Sequence, residues 1–268
     1  MEVDIKLFAT LKDRAGSNRI RVNLPEPATV ATLLDAVRAE YPSLVAALGS
    51  SLVSVNRSFA APETPVRGGD EVALFPPVSG GQGRPSGGQG RPSGGQGQPN
   101  GGDALPYPTY FAVTNDEIDI AAIQRHLLSP EIGAVVTFTG YVRGRTERDG
   151  LPPETLHLEY EAYSEMAEEK MAQIAREIWQ RWPLVQGVAL VQRIGQLPIS
   201  DVTTFVACAG AHRDQGAFEA ARYGIDRLKE IVPVWKKEVG ADRSLWLEGH
   251  YRPTVEDNDS AAANSLSE

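Results

Sequence analysis

His212 and Arg213 stand where a strand-like run, residues 203–209, gives way to a helical pattern opened by Asp214. Backbone N–H groups at such a junction face outward, and the helix dipole there favours an anion. An imidazole and a guanidinium added at that point describe a pocket for a phosphate or carboxylate, with a capping pair beside a surface arginine as the plainer alternative. Lys229 lies one step from Leu228 on the same pattern, at the margin of the apolar stripe Ala217, Ala221, Ile225, Leu228 and Val232. A lysine beside a pocket wall loses basicity and can serve as base or nucleophile. Its spacing from Arg222 and Asp226 equally fits a solvated ladder of ion pairs. Trp235-Lys236-Lys237 follows Pro233, so two ammonium groups leave a rigid aromatic anchor, unless they are simply solvated. Arg143 ends a strand-like run, 135–142, ahead of a polar loop and is a second candidate phosphate contact.

Other chemistries find less support. His126, His157 and His250 show no metal-ligand spacing with one another, and no Cys–His pattern exists, which argues against a metal site. The single cysteine, Cys208, excludes an intramolecular disulfide and sits in the apolar run Phe205-Val206-Ala207, as a buried thiol does. A net charge of −9 argues against a protein that grips nucleic-acid backbone. No basic-apolar leader and no membrane-length apolar run occurs, so the expectation is a cytoplasmic protein without a membrane segment.

Two bodies must position these residues. From Gly80 a seven-residue unit, Gly-Gly-Gln-Gly-Arg-Pro-Ser, repeats with almost no apolar side chains. Such sequence cannot offset its own ordering entropy and reads as a flexible linker over 82–106. About twenty-five such residues reach roughly 25–30 Å. Before it, alternation at Val3, Ile5 and Leu7 and at Ile20, Val22 and Leu24 gives two strands. Thr29 caps a helix with stripe Val30, Leu33, Leu34, Val37 and Tyr41; Pro42 ends it, and strands at 52–55 and 71–75 follow. Strand, strand, helix, strand, strand, ending in an extended Gly80-Gly81, is a β-grasp (ubiquitin-like) domain over 1–81. Two residues without side chains let a backbone thread a narrow channel and present its carboxyl carbon. After the linker, strands and helices, one of them capped by Ser164, build an α+β body over 107–252, and a polar acidic tail, 253–268, is expected to be disordered.

The motifs of the second body resemble those of molybdopterin synthase: Gly-Ala-Val-Val-Thr-Phe-Thr-Gly with Arg143 after it, Arg193-Ile-Gly, Ala-His-Arg with Phe218-Glu219-Ala220, Leu228-Lys229, and Pro-Val-Trp-Lys-Lys-Glu. The resemblance implies both subunits in one polypeptide, 1–81 as sulfur carrier and 107–252 as catalytic subunit with an α/β hammerhead fold. It implies sulfur transfer from a Gly81 thiocarboxylate to cyclic pyranopterin monophosphate, giving the molybdopterin dithiolene with no cofactor. Carried over, Lys229 and Lys236 would be catalytic, Arg143, His212 and Arg213 would bind substrate, and Phe138 would line the pocket. The family pattern would place a permanent cation at His250 and a histidine at Gln192. It also implies a homodimer through the catalytic domain and an ATP-dependent adenylyltransferase that activates the Gly-Gly end. Because Gln82 follows Gly81, a protease cutting after Gly81 would have to free that end; otherwise the uncut fusion would be a storage or assembly form. The alternatives are a non-catalytic carrier or protein modifier tethered to a phosphate-ligand binding module, and a phosphate-ligand binding protein with an idle appendage.

Overall fold

Val3, Ile5 and Leu7 point inward from β1 (Glu2–Leu7), and that alternation seeds the first core. The computed structural model describes residues 1–78, 105–145, 154–249 and 251–258. After β1 come α1 (Ala9–Ala15), β2 (Arg19–Asn23), β3 (Ala28–Thr29), α2 (Val30–Glu40), α3 (Val45–Leu48), β4 (Leu52–Val55), β5 (Ser58–Phe59), β6 (Pro65–Val66) and β7 (Val72–Phe75). The main sheet has the order β2-β1-β7-β4-β5, with β1 and β7 parallel at its centre. Thr29 caps α2 through a reciprocal box with Thr32, and Val30, Leu33 and Val37 bury against the sheet. This is the expected β-grasp. Helix α1 lies between the two strands, where the sequence reading has no helix; its buried residues are Ala9 and Leu11.

The second body contains β8 (Thr109–Thr114), α4 (Ile120–Leu127), β9 (Ala134–Tyr141), β10 (His157–Ala162), α5 (Ser164–Arg181), β11 (Val185–Arg193), β12 (Gly195–Pro198), β13 (Val202–Gly210), α6 (Ala217–Ile231), β14 (Val234–Val239) and β15 (Ser244–Leu247). One sheet runs β8-β11-β13-β9, with α5 and α6 on one face and α4 on the other. Central strands β11 and β13 are therefore apolar on both sides. A second sheet runs β12-β10-β14-β15.

Two caps differ from expectation. Ser164 is the first helical residue of α5 rather than its cap, because Tyr163 occupies the cap position and its hydroxyl donates to Glu71 of the carrier. Helix α6 begins at Ala217, not Asp214, with Gly216 at the cap in a left-handed conformation, φ +88°. Residues 251–258, most of them assigned to a disordered tail by the sequence reading, contain a 3-10 turn at Val255–Asp257 with Asp257 buried. Gly80, Gly81 and the expected linker up to residue 104 lie outside the described residues, as do 259–268.

Strand β7 shows how the bodies meet. Val72 and Leu74 enter the carrier core, while Ala73 and Phe75 join Phe59, Tyr163, Met166 and Trp235 in the core of the second body. Phe8 stacks on Tyr163 at 5.0 Å and on Trp235 at 5.1 Å between ring centroids. Around this apolar patch Lys12 pairs with Glu161 at 2.5 Å, Arg57 with Glu169 at 2.6 Å, and the Trp246 indole donates to Asp13 at 2.8 Å. Burial pushes the Glu71 carboxyl up, but hydrogen bonds from Lys6 and Tyr163 outweigh it and hold that group at about 2.

Candidate active site

Helix α6 delivers Lys229 in its last turn, where the stripe meets the end of the sheet. Arg222 and Asp226 form an exposed pair at 3.7 Å, but Lys229 turns away from that ladder and into the protein. Its Nζ lies 3.4 Å from Thr204 Oγ1 and 3.5 Å from Gln192 Oε1. Gln192 is fully buried and sits opposite Thr204 across β11 and β13. Its amide donates to the carbonyls of Arg193 and Thr203 at 2.9 Å and accepts from the Thr204 hydroxyl at 2.9 Å. Every polar atom of that side chain is engaged, so its carbonyl oxygen is fixed toward the lysine. Burial, reinforced by the positive charge of Lys236, brings Lys229 from 10.5 down to about 7.

Lys236 arrives from a different element. On β14 it sits opposite Tyr160 of β10 and Leu247 of β15. Burial pushes the Tyr160 phenol up to about 12, an effect the Thr203 side chain partly offsets. Tyr160 thus stands between the strand that carries Lys236 and the floor beneath Lys229. Arg143 stands exposed just past β9, and its positive charge is felt at Tyr160. Phe138, 40% exposed, pairs with Val206 on β13, two residues from Thr204 and on the same face. Lys229 from α6 and Lys236 from β14 of the second sheet are therefore brought close to one another, with Phe138 on the face of the first sheet that α6 covers. Gln192, Thr203, Thr204 and Tyr160 complete that floor; the sequence reading marked only Gln192, where the family pattern has a histidine, and gave the other three no role.

His212 and Arg213 lie elsewhere. They follow the far end of β13 and precede α6, about 18 Å of helix away from Lys229. Both are exposed, in a turn closed by Gln215, whose side chain accepts from the His212 amide at 3.2 Å. Two glycines shape this turn. A Cβ on Gly133 would meet the Ala211 carbonyl oxygen at 2.4 Å, and one on Gly216 would meet Trp182 at 2.4 Å. Gly216→Ala, strained at its positive φ and clashing with an indole, is expected to cost about 1–3 kcal/mol in thermal or urea unfolding. An unchanged midpoint would mean that Trp182 simply moves aside.

The carrier's exit runs over the strand that bears Lys236. After Phe75, the Pro76 carbonyl accepts the Trp235 indole N–H at 2.9 Å, and Val78 is 1% exposed. Trp235 immediately precedes Lys236. Gly81 itself and His250 lie outside the described residues.

Family models match both bodies: residues 113–231 match the MoaE protein family, and residues 5–81 the ThiS family. The molybdopterin synthase catalytic subunit of Halalkalibacterium halodurans is 44% identical over 137 residues, 51% of this chain and 84% of that protein. The counterpart from Staphylococcus carnosus is 46% identical over 142 residues, 53% of this chain and 90% of that one. Among solved structures, the crystal structure of molybdopterin synthase from Staphylococcus aureus is 43% identical, covering 52% of this chain and 96% of that chain, with a TM-score of 0.47. A lysine pair drawn from α6 and β14, with the exit of a ThiS-type domain running over β14, thus sits on a sequence that belongs to the molybdopterin synthase catalytic subunit family, a sulfurtransferase of molybdenum cofactor biosynthesis carrying its sulfur-carrier domain in the same polypeptide.

Proposed function

We propose that sulfur leaves a thiocarboxylate on Gly81 and enters cyclic pyranopterin monophosphate in the pocket of Lys229 and Lys236, building the dithiolene of molybdopterin. The observation that carries this reading is the course of the carrier's exit over Trp235, on the strand that also bears Lys236. A lysine with a pKa near 7 can take up a proton from the attacking group or from water, and its charged neighbour can stabilise negative charge on the acyl oxygen. Phe138 offers a flat apolar wall for the pterin, and Arg143 a guanidinium for the phosphate. His212 and Arg213 are too far from the lysines of their own copy, so in the proposed homodimer they would serve the pocket of a second copy. The exposed Phe138 and Tyr141 on edge strand β9 favour such a pairing.

The thiocarboxylate needs a free chain end. A protease cutting after Gly81 would provide it, and an ATP-dependent adenylyltransferase in the cytoplasm would then activate the exposed carboxylate. Intact-mass measurement on protein recovered from its native cell tests this. The expected result is an N-terminal fragment ending at Gly81, part of it heavier by a sulfur-for-oxygen exchange. A chain that stays full length while converting the pterin would overturn it.

A further inference from the structure

Strand β5 closes one side of the carrier sheet, so the N–H and C=O of Phe59 point outward without a neighbouring strand. Asn258 meets both: its Oδ1 accepts from the Phe59 amide at 2.8 Å, and its Nδ2 donates to the Phe59 carbonyl at 2.9 Å. One side chain thereby supplies the pair of bonds that an added strand would supply. The Phe59 ring lies under Lys170, whose Nζ is 4.9 Å from its centroid. Lys170 is 4% exposed and donates to Asn258 Oδ1 at 3.2 Å and to the Asp257 carbonyl at 3.0 Å.

The other side of this segment is fastened to the catalytic domain by buried charge. The Asp257 carboxylate receives Arg227 at 2.9 Å and the Tyr251 hydroxyl at 2.8 Å. Arg227 also holds Glu177 at 3.1 Å, which joins α5 to α6. Gln173 donates to the Asp257 carbonyl at 3.0 Å. Thr254 caps the turn, its side chain accepting from the Glu256 amide while its own amide donates to Asp257. Breaking one partner out of such a buried network is costly, so the segment has one strongly preferred seat. None of these groups belongs to the lysine pocket.

We propose that residues 251–258 are a clasp that retains the carrier domain, with Asn258 and Lys170 selecting a β-grasp partner that presents an aromatic ring beside an unpaired edge N–H and C=O. Carriers with an aliphatic residue in place of Phe59 would forfeit the cation–ring contact and be held less well.

Hydrogen exchange with mass spectrometry on the full chain, without substrate, tests the clasp. Asn258→Ala is expected to speed exchange about ten-fold or more at residues 57–60, and also at 8–12 and 72–78, which face Tyr163 and Trp235. Asn258→Asp, which keeps the acceptor but opposes an oxygen to the Phe59 carbonyl, is expected to match it. Exchange at 33–37, inside the carrier core, is expected to stay at the wild-type rate, showing that the domain remains folded. Acceleration confined to 57–60, or no acceleration, would overturn the proposal, because Asn258 would then cover an edge without retaining the domain. No thiocarboxylate enters the measurement, so its result is independent of the sulfur-transfer reading.

Discussion

Lys229→Met is expected to abolish pterin sulfuration while making the folded protein more stable below neutral pH. Methionine keeps the apolar stem but removes the amine, and loss of a general base or acid lowers turnover by about 10²–10⁴-fold. The stability gain follows from the depressed pKa, which falls from 10.5 unfolded to about 7 folded. Between those values the unfolded chain binds a proton that the folded chain does not, so wild-type stability rises with pH across that window. Below pH 7 both states carry the charge, and the folded state bears the whole cost of burying it. Stability changes by about 1.4 kcal/mol for each pH unit inside the window. The variant's advantage at pH 6 therefore amounts to a few kcal/mol and fades toward pH 10.5. Turnover by the wild type is expected to climb through pH 7 as the amine loses its proton. Melting curves at pH 6 and pH 10, together with single-turnover assays using thiocarboxylated carrier, check both halves. A variant that turns over normally, or melts at the wild-type temperature at pH 6, would remove Lys229 from its assigned place.

Trp235→Ala is expected to release the carrier. The indole is 1% exposed, packs on Phe8 and Phe75 at centroid distances of 5.1 and 5.4 Å, and donates to the Pro76 carbonyl. Truncating a buried tryptophan costs about 3–5 kcal/mol. Here the loss is divided between the second body and its contact with the first. Small-angle scattering on the full chain would then report a larger radius of gyration. Trp235→Phe separates the contributions in part, since it keeps an aromatic contact while losing some ring volume and the bond to Pro76, the latter worth about 1 kcal/mol. A Trp235→Ala chain as compact as the wild type would show that the charged rim, Lys12 with Glu161 and Arg57 with Glu169, suffices to hold the two together.

Much of this architecture was legible in the chain. Alternation at Val3, Ile5 and Leu7, the Thr29 cap and the apolar stripe of α2 gave the carrier fold because each element buries a single, regular face. The position of Lys229 beside Leu228 left a pocket wall and a solvated ladder both open, and the packing of α6 on the sheet decided which. Helix α1 was hidden because seven residues with only Ala9 and Leu11 buried carry too short a period. Gly216 displaced Asp214 as the cap of α6 for a tertiary reason, since the cap packs against Trp182 and a Cβ does not fit. The separation of His212-Arg213 from Lys229 was equally invisible, because a helix that links two motifs in sequence also holds them a helix length apart. Residues 251–258 are polar enough to read as tail; their polar groups instead answer buried charges on α5 and α6, which no local pattern announces.

Strand β7 has a consequence for variation in the carrier. Its four residues serve two interiors at once, Val72 and Leu74 on one side and Ala73 and Phe75 on the other. A slip of one position would exchange the two sets and ruin both, so a carrier whose last strand has settled correctly already displays its docking face. Checking of the folded state is thereby built into partner recognition: a half-assembled ubiquitin-like module lacks the surface needed to offer its terminus. Ala73 is wholly buried on the docking side, so enlarging it should lift the module off its seat while leaving its own interior undisturbed.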